Sequence, residues 1–398
     1  MNDLRAFYNS NVTKKIVKTS DWHIHFEDGT MEFDPLSGGL SSLFGNNNKE
    51  IVSGIEDRIL TVARAQSNKG HYTDDTLRAG EILTQGVWSG YSWALSGTNA
   101  VESAIAMSDE YWKKLGGNKP YIVSFSFAWH GSSYLTKSLG VPEILQHKSN
   151  RVINIDHPKW KHISDRDPAE TEAMFGFIET IRNNPDEIGC VIFDSATWIN
   201  GVIPFSKWWW ETLRELCNEH DILMITDDVA SCWGRSKAYH SYQTLGFGIQ
   251  PDISAVGKAL TGGYAPLGAA LCNERVNSVI SEPGVWKYPG TWQPSMIGIY
   301  LMINTYDYIE KNNLIQKSNQ IENKNIALGE KILSEGLINN YRASGTFLAL
   351  DVKTQAPSVG YSSSKGNNNL RVCVPLIADE TYYKELEMYI DKGISCTI

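Results

Sequence analysis

Apolar runs alternate with amphipathic helical patterns between about residues 90 and 290, and this order constrains the fold more than any other feature of the chain. The apolar runs are YIVSFSF (121–127), CVIFD (190–194), ILMIT (222–226) and ISAV (253–256). Their near-continuous hydrophobicity is typical of strands covered on both faces, as in a parallel sheet. Helical patterns such as VESAIAMSDEYWKK (101–114) and WWWETLRELCNEH (208–220) lie between them. The alternation predicts an α/β fold with right-handed crossovers.

The two ends of the chain have a different pattern. WHIHFEDGTMEFD (22–34) alternates polar and apolar residues and contains Asp28-Gly29, a hairpin turn signal. A long helical pattern, MIGIYLMINTYDYIEK (296–311), leads into mixed strands and helices. We therefore predict a smaller α/β domain built from both chain ends. Its predicted segments are residues 1–45 and 296–398, and residues 46–295 form the predicted large domain.

Charge and composition narrow the class of partner. The 398 residues include 36 basic and 45 acidic side chains, for a formal net charge of −9, so there is no basic footprint for nucleic acid. No apolar run approaches the length of a membrane span, and the N-terminus lacks a signal-peptide core. The six cysteines are scattered without a CxxC pair, which favours buried thiols in a reducing compartment. We expect a cytoplasmic protein with small-molecule partners, no metal site and no membrane or nucleic-acid contact.

Polar side chains follow the predicted strands at the points where the strands end. In an open parallel sheet, ligands bind beyond the carboxyl ends of the strands. The pattern places a lysine, several carboxylates, an aromatic ring and an imidazole at this edge: Lys258, Asp194, Asp227, Asp228, Trp129 and His130. Each is weak evidence alone, but together they predict a binding site.

A small-residue turn precedes the helix at residue 101. SGTNAVE (96–102) places Gly97 and Thr98 at the start of that helix, where free backbone N–H groups and the helix dipole suit a phosphate. A plain N-cap turn, with Thr98 or Asn99 as the cap, explains the same residues. The nucleotide-binding patterns GxGxxG and GxxxxGK[ST] are absent from the sequence, which argues against a dinucleotide enzyme.

These groups suit one cofactor, pyridoxal 5'-phosphate. Its aldehyde requires a lysine for a Schiff base, and its pyridine nitrogen requires a carboxylate that keeps it protonated. Its ring requires an aromatic neighbour and its phosphate requires an anion nest. Imine formation also explains why Lys258 stands between an apolar run and a glycine-rich turn, because an unpaired buried ammonium is costly.

The stretch from 225 to 271, ITDDVASCWGRSKAYHSYQTLGFGIQPDISAVGKALTGGYAPLGAAL, resembles the signature of class III pyridoxal-phosphate aminotransferases. Further ordered similarities cover most of the chain: WHIHFEDGTMEFDPLSGG (22–39), SGTNAVESAIAM (96–107), WHG (129–131), IFDSATWINGVIPF (192–205), GTW (290–292) and LRVCVPL (370–376). The resemblance implies fold type I, in which a mostly parallel seven-stranded sheet lies between helices in the large, cofactor-binding domain.

The resemblance also implies roles for the residues around the cofactor. Lys258 would bind the cofactor as an imine and later move the proton, and Asp227 would pair with the pyridine nitrogen. Val229 would lie against one face of the ring and Trp129 against the other. The phosphate would be held by two residues of the turn before the helix, Gly97 and Thr98.

Other matched positions face the substrate or a second subunit. Thr291 would reach the phosphate from the partner subunit of a homodimer, so that the active sites lie at the subunit interface. Arg371 matches a position that binds a substrate carboxylate in some family members, although a surface arginine on a strand explains it too. Asp194 replaces the usual glutamate near the substrate, and Asn99 and Asp228 replace glutamates as well. These departures leave the cofactor-holding residues intact and alter those that face the substrate.

The resemblance implies a transaminase that moves an amino group from an amine or ω-amino acid donor to a keto or aldehyde acceptor by a ping-pong mechanism. One alternative is an intramolecular amino transfer like that of glutamate-1-semialdehyde 2,1-aminomutase. A second alternative is a homologue that binds the cofactor without turnover, which the pairing of Lys258 with Asp227 disfavours. An α/β hydrolase is disfavoured because the chain has no G-x-S-x-G elbow.

Overall fold

The structure is a computed structural model that describes residues 14–64, 70–126, 128–140, 149–155, 168–198, 201–282, 290–353, 361–364 and 367–395. Within these ranges the strands β1 to β16 are Ile16–Ser20, His23–Phe26, Met31–Phe33, Gly90–Ala94, Tyr121–Phe125, Val152–Ile155, Ile188–Asp194, Ala196–Thr197, Ile203–Pro204, Leu223–Asp227, Ile253–Val256, Gly268–Cys272, Ile338–Ser344, Phe347–Val352, Tyr361–Ser364 and Asn367–Cys373. The helices α1 to α12 are Ser37–Leu40, Lys49–Val52, Ile55–Thr61, Asp74–Thr84, Gly97–Lys114, Tyr134–Ser138, Pro168–Asn183, Lys207–Glu219, Glu274–Ile280, Met296–Lys311, Leu314–Ser334 and Glu380–Ser395.

A seven-stranded sheet forms the centre of the molecule, in the order β4-β12-β11-β10-β7-β5-β6. The neighbours from β11 to β6 pair in parallel, and β12 runs antiparallel to both β11 and β4. The apolar runs that predict strands coincide with β5, β7, β10 and β11. The α/β fold with a mostly parallel seven-stranded sheet is therefore confirmed, and the carboxyl ends of the parallel strands meet at one edge.

Helices cover both faces of this sheet. On one face, α5 packs on β4, β11 and β12 through buried side chains such as Val101 and Ile105. On the other face, α8 buries Trp209 and Trp210 against Phe193 of β7. The strands between these layers are buried along nearly their whole length, which explains why their sequences are continuously apolar.

Helix α5 begins earlier than its apolar periodicity indicates. The side-chain hydroxyl of Ser96 accepts a hydrogen bond from the backbone N–H of Asn99, so Ser96 is the N-cap. The predicted caps, Thr98 and Asn99, are therefore wrong, because both already lie in the first helical turn. A serine side chain one residue before the helix satisfies a free backbone N–H of that turn.

The two chain ends pack on each other. The β1–β2–β3 sheet carries Trp22 and Phe33 against Tyr382 of α12, at ring centroid distances of 5.2 and 5.3 Å. His23 Nε2 lies 2.5 Å from the Glu385 carboxylate on the same helix. A four-stranded antiparallel sheet, β13-β14-β16-β15, follows α11. The boundaries of the large and small domains remain predictions.

None of the helices in the described ranges has both the length and the apolar character needed to cross a membrane.

Candidate active site

Two carboxylates end neighbouring strands at the carboxyl edge of the sheet. Asp194 is the last residue of β7 and Asp227 the last of β10, and the two are directly opposite in the parallel register. Both residues are buried, with an exposed fraction of 5% each. Because strand neighbours are about 4.8 Å apart, this register forces two buried acids together. Such a pair requires a nearby cation or a shared proton.

His130 lies between these carboxylates. Its Nδ1 is 2.8 Å from Asp227 Oδ2 and 3.2 Å from Asp194 Oδ1, and the residue is 3% exposed. Burial by itself lowers the pKa of the imidazole, but the charges of Asp194 and Asp227 outweigh burial, so the pKa of His130 is raised. The ring therefore favours its protonated form. The strand pattern predicts His130 at this edge without giving it a role.

The signal that could have identified His130 is the order of the strands. His130 follows β5, and β5 pairs in parallel with β7, whose last residue is Asp194. Because His130 is five residues beyond the end of β5, it lies near Asp194 at the end of the neighbouring strand β7. What the sequence does not contain is the direction in which the imidazole points.

Lys258 follows β11 and begins a 3₁₀ turn, Lys258–Thr261. Its φ is +40°, a left-handed value that non-glycine residues rarely adopt and that functional sites often hold. The side chain is partly buried, and this burial lowers the pKa of its amino group, although the charges of Asp227 and Asp194 oppose the shift. The predicted lysine and the two predicted carboxylates therefore interact at one site, and the lowered pKa favours a neutral, nucleophilic amine.

Gly97 lies at the N-terminus of α5 against Val229. A Cβ at Gly97 would be 2.5 Å from Val229 Cγ1, which is closer than real Cβ contacts. The Val229 backbone N–H donates to Asp227 Oδ1 at 3.0 Å, so Val229 is fixed between the carboxylate and the helix terminus. Gly257 is also adjacent, since a Cβ there would be 3.2 Å from Gly97 Cα. The helix N-terminus is thus held directly beside the turn that carries Lys258.

The WHG segment (129–131) and the residue after it pack against the N-terminus of α5 through Thr98. Thr98 Oγ1 accepts a hydrogen bond from the Ser132 backbone N–H at 3.3 Å, and a Cβ at Gly131 would be 2.6 Å from the same oxygen. Trp129 is 43% exposed, so its ring is open to a ligand or to a neighbouring surface. Thr98 and Trp129 are therefore brought to the same side of the sheet edge as His130.

Two predicted residues lie outside this cluster. Thr291 is exposed in the turn after residue 290, and within the described part of the chain it makes no hydrogen bond to the cluster. Arg371 is on β16, where its Nη1 donates to the Trp198 carbonyl at 3.2 Å. Burial lowers the pKa of Arg371, so the surface-arginine interpretation does not describe this side chain. Trp198 is in turn held by Phe347, whose ring centroid is 4.1 Å away.

The residues present fit pyridoxal phosphate. A partly buried lysine with a lowered pKa, a buried carboxylate and a glycine-bearing helix N-terminus supply the donor set that its aldehyde, ring nitrogen and phosphate require. In addition, the buried Nε2 of His130 has no hydrogen-bond partner among the described protein atoms. Buried polar atoms are normally satisfied, so the unsatisfied Nε2, on the ring whose Nδ1 contacts Asp227, fits a site that a ligand completes.

Solved structures define the class to which this fold belongs. A transaminase from the marine bacterium Virgibacillus has a TM-score of 0.89 at 17% identity, covering 99% of this chain and 96% of that one. The taurine:2-oxoglutarate aminotransferase of Bifidobacterium kashiwanohense has a TM-score of 0.87 at 19% identity, covering 99% and 95%. The fold is thus that of the fold type I transaminases.

Residues 7–381 match the class III aminotransferase family, and the chain belongs to that family. Among its relatives, the adenosylmethionine-8-amino-7-oxononanoate aminotransferase of Aquifex aeolicus is 28% identical over 67% of this chain and 60% of its own length. The acetylornithine aminotransferase of the same organism is 26% identical over 66% and 65%. The chain therefore spans less than two thirds of these relatives' length. Membership confirms the family predicted from the motifs, whose cofactor is pyridoxal phosphate.

Proposed function

We propose that this protein is a pyridoxal-phosphate-dependent transaminase that moves an amino group from an amine or ω-amino acid to a keto or aldehyde acceptor by a ping-pong mechanism. The observation that carries the proposal is the meeting of Lys258 and Asp227 at the carboxyl edge of the sheet, beside the N-terminus of α5. A lysine and a carboxylate in this relation have no role in packing the sheet, and both are costly to bury.

Each part of the cofactor has a residue to hold it. Lys258 would bind the aldehyde carbon through Nζ, Asp227 would accept a hydrogen bond from the protonated ring nitrogen, and Gly97 and Thr98 would receive the phosphate. Val229 and Trp129 would lie on the two faces of the ring. When bound, pyridoxal phosphate supplies an electron-accepting ring that stabilises the charge left on the donor carbon after its proton is removed.

Lys258 is the residue proposed to move the proton. Burial lowers the pKa of its amino group, which increases the fraction of neutral Nζ available as a base at neutral pH. Nζ would take the proton from the donor carbon and return it elsewhere on the same face. Val229 packs directly against Gly97, where an added Cβ would be 2.5 Å from Val229 Cγ1, and this close packing would help to fix the geometry of the site.

The substrate class rests on the names of the relatives and on Arg371. The family members that match include proteins named for acetylornithine, diaminobutyrate and γ-aminobutyrate. All of these names describe amines distal to a carboxylate, and Arg371 is the proposed partner of that carboxylate. The resemblance also predicts that Asp194 faces the substrate, but its buried carboxylate lies 3.2 Å from His130 Nδ1. The aminomutase alternative is not favoured, because the matching relatives are named as aminotransferases.

We further propose a cytoplasmic homodimer in which Thr291 completes the phosphate site of the partner subunit. Its exposure, together with that of Trp292 beside it at 58%, supports this, because an exposed tryptophan next to a predicted interface residue is suited to burial by a second copy. The small domain would comprise residues 1–45 and 296–398.

Two-substrate kinetics test this proposal. The purified protein, loaded with pyridoxal phosphate, is incubated with ω-amino acids or diamines in the presence and absence of 2-oxoglutarate or pyruvate. A transaminase gives parallel double-reciprocal lines and requires both substrates. Product formation from one substrate alone would instead support the aminomutase, and no turnover with any pair would contradict the proposal.

A further inference from the structure

The position of Asp194 in the structure differs from the role that its place in the motif implies. Its carboxylate lies against His130 rather than in an open substrate cavity, and the residue is 5% exposed. The backbone N–H of Trp129 also donates a hydrogen bond to it. These contacts hold the Asp194 side chain against His130 and the Trp129 backbone.

Strand register explains why Asp194 and Asp227 act together. The two residues are directly opposite on β7 and β10, and one imidazole nitrogen, Nδ1 of His130, faces both. Nδ1 hydrogen bonds to Asp227 Oδ2 at 2.8 Å and lies 3.2 Å from Asp194 Oδ1, with which the protonated ring forms an ion pair. Removal of the Asp194 charge would therefore remove one of the two charges that favour the protonated imidazole.

We propose that Asp194 is a positioning residue for the reaction: together with Asp227 it holds His130, and through His130 it fixes the carboxylate that faces the cofactor ring nitrogen. This assignment rests on the proposed function. It replaces a substrate-binding role for Asp194 with a role in the electrostatics of the ring.

The charged groups around Asp194 support this role. The titratable groups that act on it are His130, Asp227 and Lys258, so the cluster contains two acids and two bases. Burial and the charge of Asp227 raise the pKa of Asp194 to about 7, although the charges of His130 and Lys258 oppose this rise, so the carboxylate is mainly ionised above pH 7. An ionised Asp194 adds negative potential where the cationic forms of the ring nitrogen and of the Lys258 nitrogen must be stabilised.

The test is the pH titration of the visible band of the bound cofactor, combined with steady-state kinetics. Asp194→Asn keeps the size of the side chain and removes its charge, so we expect the midpoint of the band to move to lower pH by about half a unit or more, because a neighbouring negative charge favours protonated bases. We expect kcat to fall about tenfold, with KM for the amine unchanged within about twofold. Asp194→Glu keeps the charge and should recover part of both.

A double-mutant cycle tests whether Asp194 acts through His130. In a His130→Asn background, Asp194→Asn should change the midpoint by less than half of its effect in the wild-type protein, since residues in one network are not additive. Asp252→Asn is the matched control. Asp252 is a buried acid that pairs with Arg214 and lies just before β11, at the opposite end of that strand from Lys258, so its loss should leave the midpoint unchanged.

Other outcomes overturn the inference. A rise in KM alone would mean that Asp194 contacts the substrate, and equal midpoints and kcat in wild type and Asp194→Asn would mean that it positions nothing. If Asp194→Asn shifts the midpoint as much in the His130→Asn variant as in the wild-type protein, Asp194 does not act through His130. Failure of the wild-type protein to form a visible band would contradict the proposed function itself, and this inference with it. Circular dichroism of each variant checks that it is folded.

Discussion

Asp227 and Asp228 are adjacent in the chain and have different surroundings. Asp227 faces His130, and its Oδ1 accepts the Val229 N–H. Asp228 turns the other way, accepting hydrogen bonds from the Ser231 hydroxyl and from the Ser241 N–H at 2.8 Å. Successive residues at a strand end point to opposite sides of the sheet, so one acid faces the site and the other anchors the loop that follows.

Asp227→Asn tests the acid that faces the site. An amide cannot stabilise a protonated ring nitrogen as a carboxylate does, so the variant should bind pyridoxal phosphate more weakly and slow proton removal from the amine by about 10²-fold to 10⁴-fold. Stopped-flow absorbance, following loss of the visible band after mixing with an amine, measures that rate. A near-normal rate would mean that the ring nitrogen has another partner.

Asp228→Asn tests the acid that anchors the loop. Burial raises the pKa of Asp228 from 3.8 to about 7. An acid whose folded pKa is raised stabilises the fold below its unfolded pKa, and this contribution is lost as pH rises through the folded value. Between pH 4 and pH 7 the wild-type protein should therefore lose up to about 1.4 kcal/mol of unfolding free energy per pH unit relative to Asp228→Asn.

Urea unfolding of both proteins at pH 4, 5, 6 and 7 measures this difference. If the difference in unfolding free energy between the two proteins is independent of pH, Asp228 is ionised in the folded protein over the whole range and the assignment is wrong. Asp252→Asn again serves as the control variant, because Arg214 and Asn273 pair with that carboxylate.

At the scale of elements, the four strands β5, β7, β10 and β11 were predicted from their apolar sequences, whereas the side-chain contacts at their ends were not. Helix α10 coincides with its predicted residues, 296–311, and the carboxylates at the ends of β7 and β10 were placed at the correct edge. Continuous apolar runs and strand ends are local properties of a sequence. The Asp194–His130 contact depends on strand order and on the orientation of an imidazole, which only tertiary packing sets. The Ser96 cap is different, because S-x-x-N carries a local capping signal that the apolar periodicity obscured.

Gly97→Ala tests the junction of α5 with the cofactor site. A Cβ at this position would be 2.5 Å from Val229 Cγ1, so Val229 or the helix N-terminus must shift. We expect the dissociation constant for pyridoxal phosphate to rise about tenfold or more, since the phosphate-binding backbone would move. Absorbance titration of the protein with the cofactor gives the constant.

Gly117→Ala is the matched control for this glycine. It lies just beyond the other end of α5, and a Cβ there would be 3.4 Å from the nearest atom, an ordinary contact. Its affinity for pyridoxal phosphate should equal that of the wild-type protein. Equal affinities in Gly97→Ala and Gly117→Ala would show that the N-terminus of α5 does not hold the cofactor.

For the whole molecule, the central question is whether one subunit contains a complete site. Within the described residues, Lys258, Asp227, His130 and Gly97 lie together, whereas Thr291 lies in an exposed turn without a hydrogen bond to them. The sequence resemblance predicts this separation, because it assigns Thr291 to the phosphate of a second subunit.

Mixed subunits test the predicted dimer. Lys258→Ala subunits lack the covalent attachment of the cofactor, and Thr291→Ala subunits weaken the phosphate site of their partner. Each homodimer should therefore lack the visible band at low cofactor concentration. A mixed dimer contains one site with both residues intact and should recover the visible band. Light scattering should give twice the mass of the chain. A monomeric mass, or mixing without recovery, would contradict an active site shared between subunits.

The visible absorption spectrum of the protein with added pyridoxal phosphate, before and after a panel of amines, tests the central role of Lys258 most directly. We predict a yellow band in the wild-type protein that bleaches with particular amine donors. Lys258→Ala should keep the fold, lose the band and lose turnover. A wild-type protein without the band, or a Lys258→Ala variant that turns over amines at the wild-type rate, would contradict the account.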